Sequence, residues 1–121
     1  MNQTTSVVKI SRDELRNKIE RKEKFVLVEA LPEMYYRKVH LPGAINLPHD
    51  QVAELAPTLL PDKNTEVVVY CANTLCQNSD IAAHRLAQLG YTKVCEYAEG
   101  KQDWMDAGLP VESTLDEAVN S

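Results

Sequence analysis

The sequence lacks the features that mark secreted, membrane-spanning and nucleic-acid-binding proteins. Residues 1–6 carry neither a cationic region nor an apolar run, and no later apolar stretch approaches the length of a membrane span. The 13 basic and 18 acidic residues are interspersed along the chain, so no basic stripe predicts a nucleic-acid interface. We therefore expect a cytoplasmic protein that binds neither membrane nor nucleic acid.

Cysteine is also scarce, and its spacing argues against two common structural uses. The three cysteines are too few for a disulfide framework, and we expect them to stay reduced. They form no C-x-x-C pair and fall on different predicted elements, which argues against a zinc site built from them and a histidine. We expect no metal and no other cofactor.

Length and patterning predict a single α/β domain. The chain has 121 residues, enough for one core at about residues 7–111, followed by a polar tail at 112–121. Short runs of β-forming residues alternate with helical patterns, which predicts a mostly parallel sheet with helices on both faces. The predicted strands are residues 7–10, 25–28, 44–47, 67–70 and 93–97, and the predicted helices are residues 11–21, 32–36, 50–57, 78–89 and 100–107, with a candidate extra turn at 114–119.

Capping residues predict several helix ends. Ser11 and Glu14 have the spacing of a capping box at the start of the first long helix. Asp50 is a candidate N-cap of the third helix, and Pro57 is expected to end it. Ser79 is expected to cap the fourth helix and to turn its hydroxyl toward a bound anion.

Residues 67–79 combine a strand, a polar loop and the start of a helix, and Cys71 lies where the strand ends. In parallel α/β sheets, ligands bind at the carboxyl ends of the strands. Loop N–H groups and the positive end of the helix dipole favour an anion there and would lower the pKa of the thiol. The stretch predicts a thiolate nucleophile, and the alternative is that Cys71 is a small buried hydrophobe.

Three stretches, taken in order, resemble the motifs of one family. Residues 40–48, HLPGAINLP, resemble the turn H-I-P-G-A-x-N-I-P of the single-domain rhodaneses. Residues 68–71, VVYC, with 82–86, AAHRL, resemble that family's catalytic strand and helix. Residues 99–104 and 107–111, EGKQDW and AGLPV, resemble its ending, G-G-x-x-x-W-x-x-A-G-L-P-V. The likeness extends over nearly the whole chain.

The resemblance implies a rhodanese-like α/β sandwich around a five-stranded, mostly parallel sheet. It also implies a sulfurtransferase or persulfide carrier, in which Cys71 accepts sulfane sulfur and passes it to a thiol. The donor would be a small molecule or a protein persulfide, and the acceptor a protein or small thiol. By the same resemblance, an anion cradle of backbone amides falls on Ala72, Asn73, Thr74, Leu75, Cys76, Gln77, Asn78 and Ser79.

The loop also departs from the family pattern. Cys76 stands at the fifth position after Cys71, where many members have an arginine, and two extra residues precede 82–86. Without that guanidinium the loop lacks a bidentate clamp for an oxyanion, so the sequence does not predict ordinary thiosulfate activity. Cys76 is a candidate resolving thiol for a disulfide with Cys71, or it packs under the loop.

Two further functions remain open from the sequence. A thiol-switch or protein-docking module would keep the fold without catalysis. It is favoured by the arginine missing at Cys76 and by a second one missing at Leu31, since residues 29–31 stand where the family often has Asp-x-Arg. A phosphatase or arsenate-reductase-like activity is less favoured, since phosphoryl chemistry depends on a cation at the loop. Of the other candidates, His40 is expected to bond backbone in a turn, Cys95 to be structural and Trp104 to pack against the sheet.

Overall fold

The computed structural model describes residues 7–114. The predicted turn at 114–119 and most of the polar tail lie outside these residues. The strands are β1 (Val8–Lys9), β2 (Val26–Glu29), β3 (Ile45–Asn46), β4 (Glu66–Tyr70) and β5 (Lys93–Tyr97). The helices are α1 (Arg12–Glu20), α2 (Glu33–Lys38), α3 (Val52–Leu59), α4 (Asn78–Gln88) and α5 (Gly100–Asp106).

The five strands form one sheet in the order β1-β5-β4-β2-β3, and every pairing in it is parallel. Each of the four residues from Val67 to Tyr70 is fully buried, as expected for a central strand covered on both faces. The predicted α/β sheet architecture is therefore confirmed. In the described part of the chain, no helix is long and apolar enough to cross a membrane.

Two hydrophobic clusters cover the two faces of the sheet. On one face, α3 and α4 pack through Val52, Ala82 and Leu86 against side chains that include Val69 and Val94. On the other face, α1 and α5 contribute buried residues that include Leu15 and Trp104, together with Tyr70 and Tyr97 of the strands. Trp104 is thus a packing residue, as predicted, and its indole N–H donates to the Pro110 carbonyl at 2.8 Å.

The capping box at α1 is confirmed. Ser11 Oγ accepts from the Glu14 backbone N–H at 3.1 Å, and the Ser11 backbone N–H donates to the Glu14 side chain at 2.8 Å. The two bonds satisfy backbone N–H groups that have no partner within the helix. Because the motif depends only on two residues three positions apart, the local sequence predicts it.

The predicted ends of α3 are wrong. Asp50 lies inside a 3-10 turn, and Gln51 takes the cap position with no side-chain cap bond. Pro57 does not end the helix, which continues to Leu59. The proline deprives only the exposed carbonyl of Ala53 of its intrahelical donor, and water can replace that donor.

Candidate active site

Cys71 directly follows the central strand β4, at the carboxyl end of the sheet, and its side chain is fully buried. Because side chains alternate along a strand, Cys71 lies on the same sheet face as Val69, which is the face covered by α4. A seven-residue loop, 71–77, then leads into the first turn of α4. The strand and the helix therefore position this cysteine where parallel sheets bind ligands.

The loop is held by its own Asn73 and by the start of α5. Asn73 Oδ1 accepts from the backbone N–H groups of Leu75 and Cys76 at 3.0 and 3.1 Å. The first N–H groups of α5, from Lys101 and Gln102, donate to the carbonyls of Cys71 and Ala72, each at 2.8 Å. The carbonyls of Cys71 and Ala72 therefore face α5.

Gly100 permits this close contact between α5 and the loop. Its φ is +78°, and an added Cβ would lie 2.7 Å from the Asn73 nitrogen and 2.8 Å from the Ala72 carbonyl carbon. A side chain at this position would therefore collide with backbone as well as require an unfavourable conformation.

The Cys71 thiol has two hydrogen-bond acceptors within 3.3 Å. One is the backbone carbonyl of Cys76 and the other is the hydroxyl oxygen of Ser79. Ser79 in turn donates its hydroxyl proton to Glu96 Oε2 at 2.8 Å. A chain of hydrogen bonds therefore runs from the thiol through a hydroxyl to a carboxyl group.

The expectation of a lowered thiol pKa is contradicted by this arrangement. Burial, followed by the hydrogen bond to the Cys76 side chain, raises the pKa of Cys71 to about 11. The Ser79 hydroxyl and backbone N–H act in the opposite direction, but they do not offset the loss of water around the sulfur. The unliganded site holds a thiol rather than a thiolate.

Ser79 is not the cap of α4. The helix begins at Asn78 with Gln77 in the cap position, so Ser79 is already inside the first turn. Its side chain bonds Glu96 on the neighbouring strand instead of a backbone N–H of its own helix. The prediction was wrong because a cap position depends on where the helix starts, and here the helix starts two residues earlier than a Ser79 cap requires.

The amide cradle on residues 72–79 stays a prediction. Two of its eight N–H groups, those of Leu75 and Cys76, are engaged by Asn73, whereas the Ser79 N–H lowers the pKa of Cys71.

Leu75 exposes 88% of its surface at the loop, which makes it the most exposed large hydrophobic side chain in the described structure.

Within residues 7–114, the contacts of the Cys71 thiol include no cation. Arg85 of α4 donates to the His49 carbonyl at 2.7 Å. The position where many family members have arginine holds Cys76, a partly buried free thiol. The Cys76 side chain is nevertheless close enough to Cys71 to contribute to its raised pKa.

The other sequence candidates have structural contacts. The buried His40 stacks on Tyr36, and its Nδ1 lies 2.8 Å from the Tyr36 carbonyl, as expected of a turn residue bonded to backbone. Cys95 packs partly buried against the α1 and α5 side of the sheet. Across the described residues, no group of three or more His, Cys, Asp or Glu side chains is arranged to hold a metal ion.

Sequence reasoning missed the buried polar residues around the site. Besides Glu96, a network joins Glu29, Tyr70 and Lys101: Lys101 Nζ lies 3.0 Å from Glu29 Oε2, and the Tyr70 hydroxyl donates to Glu29 Oε1 at 2.8 Å. Glu29 is the last residue of β2, Glu96 is the penultimate residue of β5, and both are buried. A carboxylate in such a position is the one local signal that pointed to them.

The chain matches the rhodanese-like domain family over residues 11–107. Among proteins, it is 42% identical over 73 residues to the thiosulfate sulfurtransferase PspE of Escherichia coli, covering 60% of this chain and 66% of PspE. It is 26% identical over 100 residues to the putative sulfur carrier protein YrkF of Bacillus subtilis, covering 83% of this chain and 52% of YrkF. The chain thus spans less than two thirds of each of these relatives.

Among solved structures, the crystal structure of the BH2092 protein from Bacillus halodurans superimposes with a TM-score of 0.81. The two chains are 27% identical, and the match covers 89% of this chain and 78% of the other.

Proposed function

The chain belongs to the rhodanese-like domain family, and from that membership we propose that it is a sulfurtransferase that carries sulfur as a persulfide on Cys71. Relatives named as a thiosulfate sulfurtransferase and as a putative sulfur carrier support a sulfur-transfer role. The observation that carries the proposal is the position of Cys71, buried at the carboxyl end of β4 and facing the first turn of α4.

The transfer is an exchange between sulfur atoms with no net oxidation. Cys71 Sγ bonds to the outer sulfur of a donor persulfide, the donor's S–S bond breaks, and the donor leaves as a thiol that carries the proton lost by Cys71. An acceptor thiol then attacks the outer sulfur of the Cys71 persulfide and regenerates the Cys71 thiol. No cofactor takes part in either step.

The donor we propose is a persulfide, carried by a small molecule or by a partner protein. Thiosulfate is a dianion, and the described contacts of Cys71 offer it no cation. A protein persulfide delivers its sulfur without an oxyanion that needs a clamp, and the exposed Leu75 gives such a partner an apolar contact beside the loop. We place this exchange in the cytoplasm, where thiols are kept reduced.

The test is the intact mass of the reduced protein after separate exposure to thiosulfate, mercaptopyruvate and a low-molecular-weight persulfide. With the low-molecular-weight persulfide we expect a gain of one sulfur, about 32 Da, in the wild type and in Cys95→Ser, but none in Cys71→Ser. Cys95→Ser is the matched control because it removes a thiol outside the loop. Sulfur loading that persists in Cys71→Ser would refute the assignment of the nucleophile.

The second candidate is a thiol-switch or docking module. The specific observation in its favour is the raised pKa of the buried Cys71 thiol, since a resting thiol is a weak nucleophile. Under this reading no donor loads sulfur on Cys71 in the mass experiment. The same experiment therefore separates the two functions.

A further inference from the structure

Glu96 is a buried carboxyl group that the sulfur exchange described above does not use. It lies on β5 two residues after Val94, on the face covered by α4, and only 3% of its surface is exposed. In the described part of the chain, no lysine, arginine or histidine forms an ion pair with it. Its partner is the hydroxyl of Ser79, itself 1% exposed.

This partner fixes the orientation of the Ser79 hydroxyl. A serine hydroxyl has one proton, and here that proton points to Glu96 Oε2 at 2.8 Å. Ser79 therefore presents a lone pair to Cys71 and accepts the thiol proton at 3.3 Å. The second acceptor, the Cys76 carbonyl, also faces the thiol. While the Ser79 proton is donated to Glu96, the hydroxyl cannot donate to a Cys71 thiolate, so the lowering of the Cys71 pKa that Ser79 would give as a donor is withheld.

We propose that Glu96, acting through Ser79, keeps Cys71 in its thiol form and selects against dianionic sulfur donors. Glu96 is a positioning residue in this scheme, because it orients the Ser79 hydroxyl without touching the sulfur. Its negative charge also lies two hydrogen bonds from the place where a donor's charge would enter. The donor selectivity rests on the sulfurtransferase function, whereas the restraint on the thiol does not.

The restrained thiol still suits a persulfide donor. A donor persulfide anion brings one negative charge into the site. After the transfer, that charge remains on the Cys71 persulfide. The Cys71–sulfur bond forms, the donor S–S bond breaks, and the thiol proton moves to the departing sulfur, so the site never holds a second negative charge. Thiosulfate would add two charges beside Glu96, and the site disfavours it.

The test measures the rate at which iodoacetamide alkylates Cys71 at pH 8, followed site by site with peptide mass spectrometry. We expect Glu96→Gln to raise this rate about ten- to hundredfold, the effect of removing one charge two hydrogen bonds away at an effective dielectric constant of about 20. The matched control is Glu54→Gln, which removes an exposed carboxylate from α3 and should leave the rate unchanged.

A second variant and an internal reference keep the test decisive. Ser79→Ala removes a hydroxyl whose proton is already donated to Glu96, so alkylation of Cys71 should be no slower than in the wild type, and slower alkylation would show that Ser79 stabilises the thiolate and would overturn the restraint. Alkylation of Cys95 in the same samples reports the integrity of the core. If Glu96→Gln accelerates both cysteines together, the variant has lost its fold, and Ser79→Ala decides the question. Unchanged or slower alkylation of Cys71 in folded Glu96→Gln also overturns the restraint.

Sulfur loading provides the arm that tests donor selection. The measured quantity is the ratio of sulfur loaded from thiosulfate to sulfur loaded from a persulfide. This ratio should be higher in Glu96→Gln than in the wild type. An unchanged ratio overturns the selection. Wild type that takes sulfur from no donor would instead defeat the proposed function, while the alkylation rates would still report on the restraint.

Discussion

Lys101 is a buried residue in the first turn of α5, and its replacement by methionine should strongly destabilise the protein. The Lys101 side chain is 7% exposed and its partner Glu29 is fully buried. Its Nζ also donates to the carbonyls of Val39 at 2.7 Å and Tyr35 at 3.3 Å. Methionine keeps the volume of the side chain but leaves Glu29 as a buried charge with one remaining donor, the Tyr70 hydroxyl.

Removing one partner of a buried ion pair typically costs about 3–5 kcal/mol, because the other charge stays buried without compensation. For a chain of this size that corresponds to a melting temperature lowered by about 10–20 °C. Urea unfolding followed by the fluorescence of Trp104 measures the loss, since this is the only tryptophan and it is buried. Arg16→Met, which breaks the exposed pair with Glu20, should cost less than about 0.5 kcal/mol.

The double variant Lys101→Met with Glu29→Gln separates the lone charge from the lost packing. A neutral glutamine still accepts from Tyr70, so the double variant should recover about 2 kcal/mol of the single variant's loss. A single variant within about 1 kcal/mol of wild type, or a double variant no more stable than the single one, would refute the argument.

The same variant has an expected pH dependence. Burial raises the pKa of Glu29, and the ion pair with Lys101 acts against that shift. Without Lys101 the pKa should rise further, and a carboxyl group with a raised folded-state pKa favours folding fully only below its unfolded value of about 4.3. That contribution is lost as pH rises through the folded-state pKa. The stability deficit of Lys101→Met should therefore be smaller at pH 5 than at pH 8.

Two further predictions concern the loop. Gly100→Ala should lower the free energy of unfolding by about 1–3 kcal/mol and load sulfur more slowly, because the added Cβ would lie 2.7 Å from the Asn73 backbone nitrogen. The control is Gly108→Ala, which has a similar φ but open space around the added Cβ and should load sulfur normally. Equal loading in the two variants would count against the contact between α5 and the loop. Mild peroxide should convert Cys71 to a sulfenic acid that Cys76 displaces with release of water, a net loss of about 2 Da. Sulfinic acid on Cys71 beside a persistently free Cys76 would contradict this disulfide.

The sequence predicted those features whose causes are local. The capping box at Ser11 and the positions of the five strands follow from short patterns of residue types, and the structure reproduces both. Cys71 was placed at the end of the central strand for the same reason. Local patterns were weaker at helix ends, where Asp50, Pro57 and Ser79 each fit a capping or stopping role that the helices do not use.

Local sequence patterns do not predict the protonation state of Cys71. A cysteine before a helix N-terminus predicts a lowered pKa, but the sulfur is fully buried and the Cys76 carbonyl is turned toward it. Glu96 is 25 residues further along the chain than Cys71, and only the pairing of β4 with β5 brings the two residues together. Contacts of this kind depend on strand register, which no short motif encodes.

The departures of the loop from the family pattern are consistent with one another. A site that lacks the arginine and keeps a buried carboxylate one hydroxyl from Cys71 is poorly suited to a dianion for two reasons. The same site has no such conflict with a donor that brings a single charge and leaves with the thiol's own proton. If Glu96 and the missing arginine act together, restoring an arginine at Cys76 should increase thiosulfate loading more in the Glu96→Gln background than in the wild type.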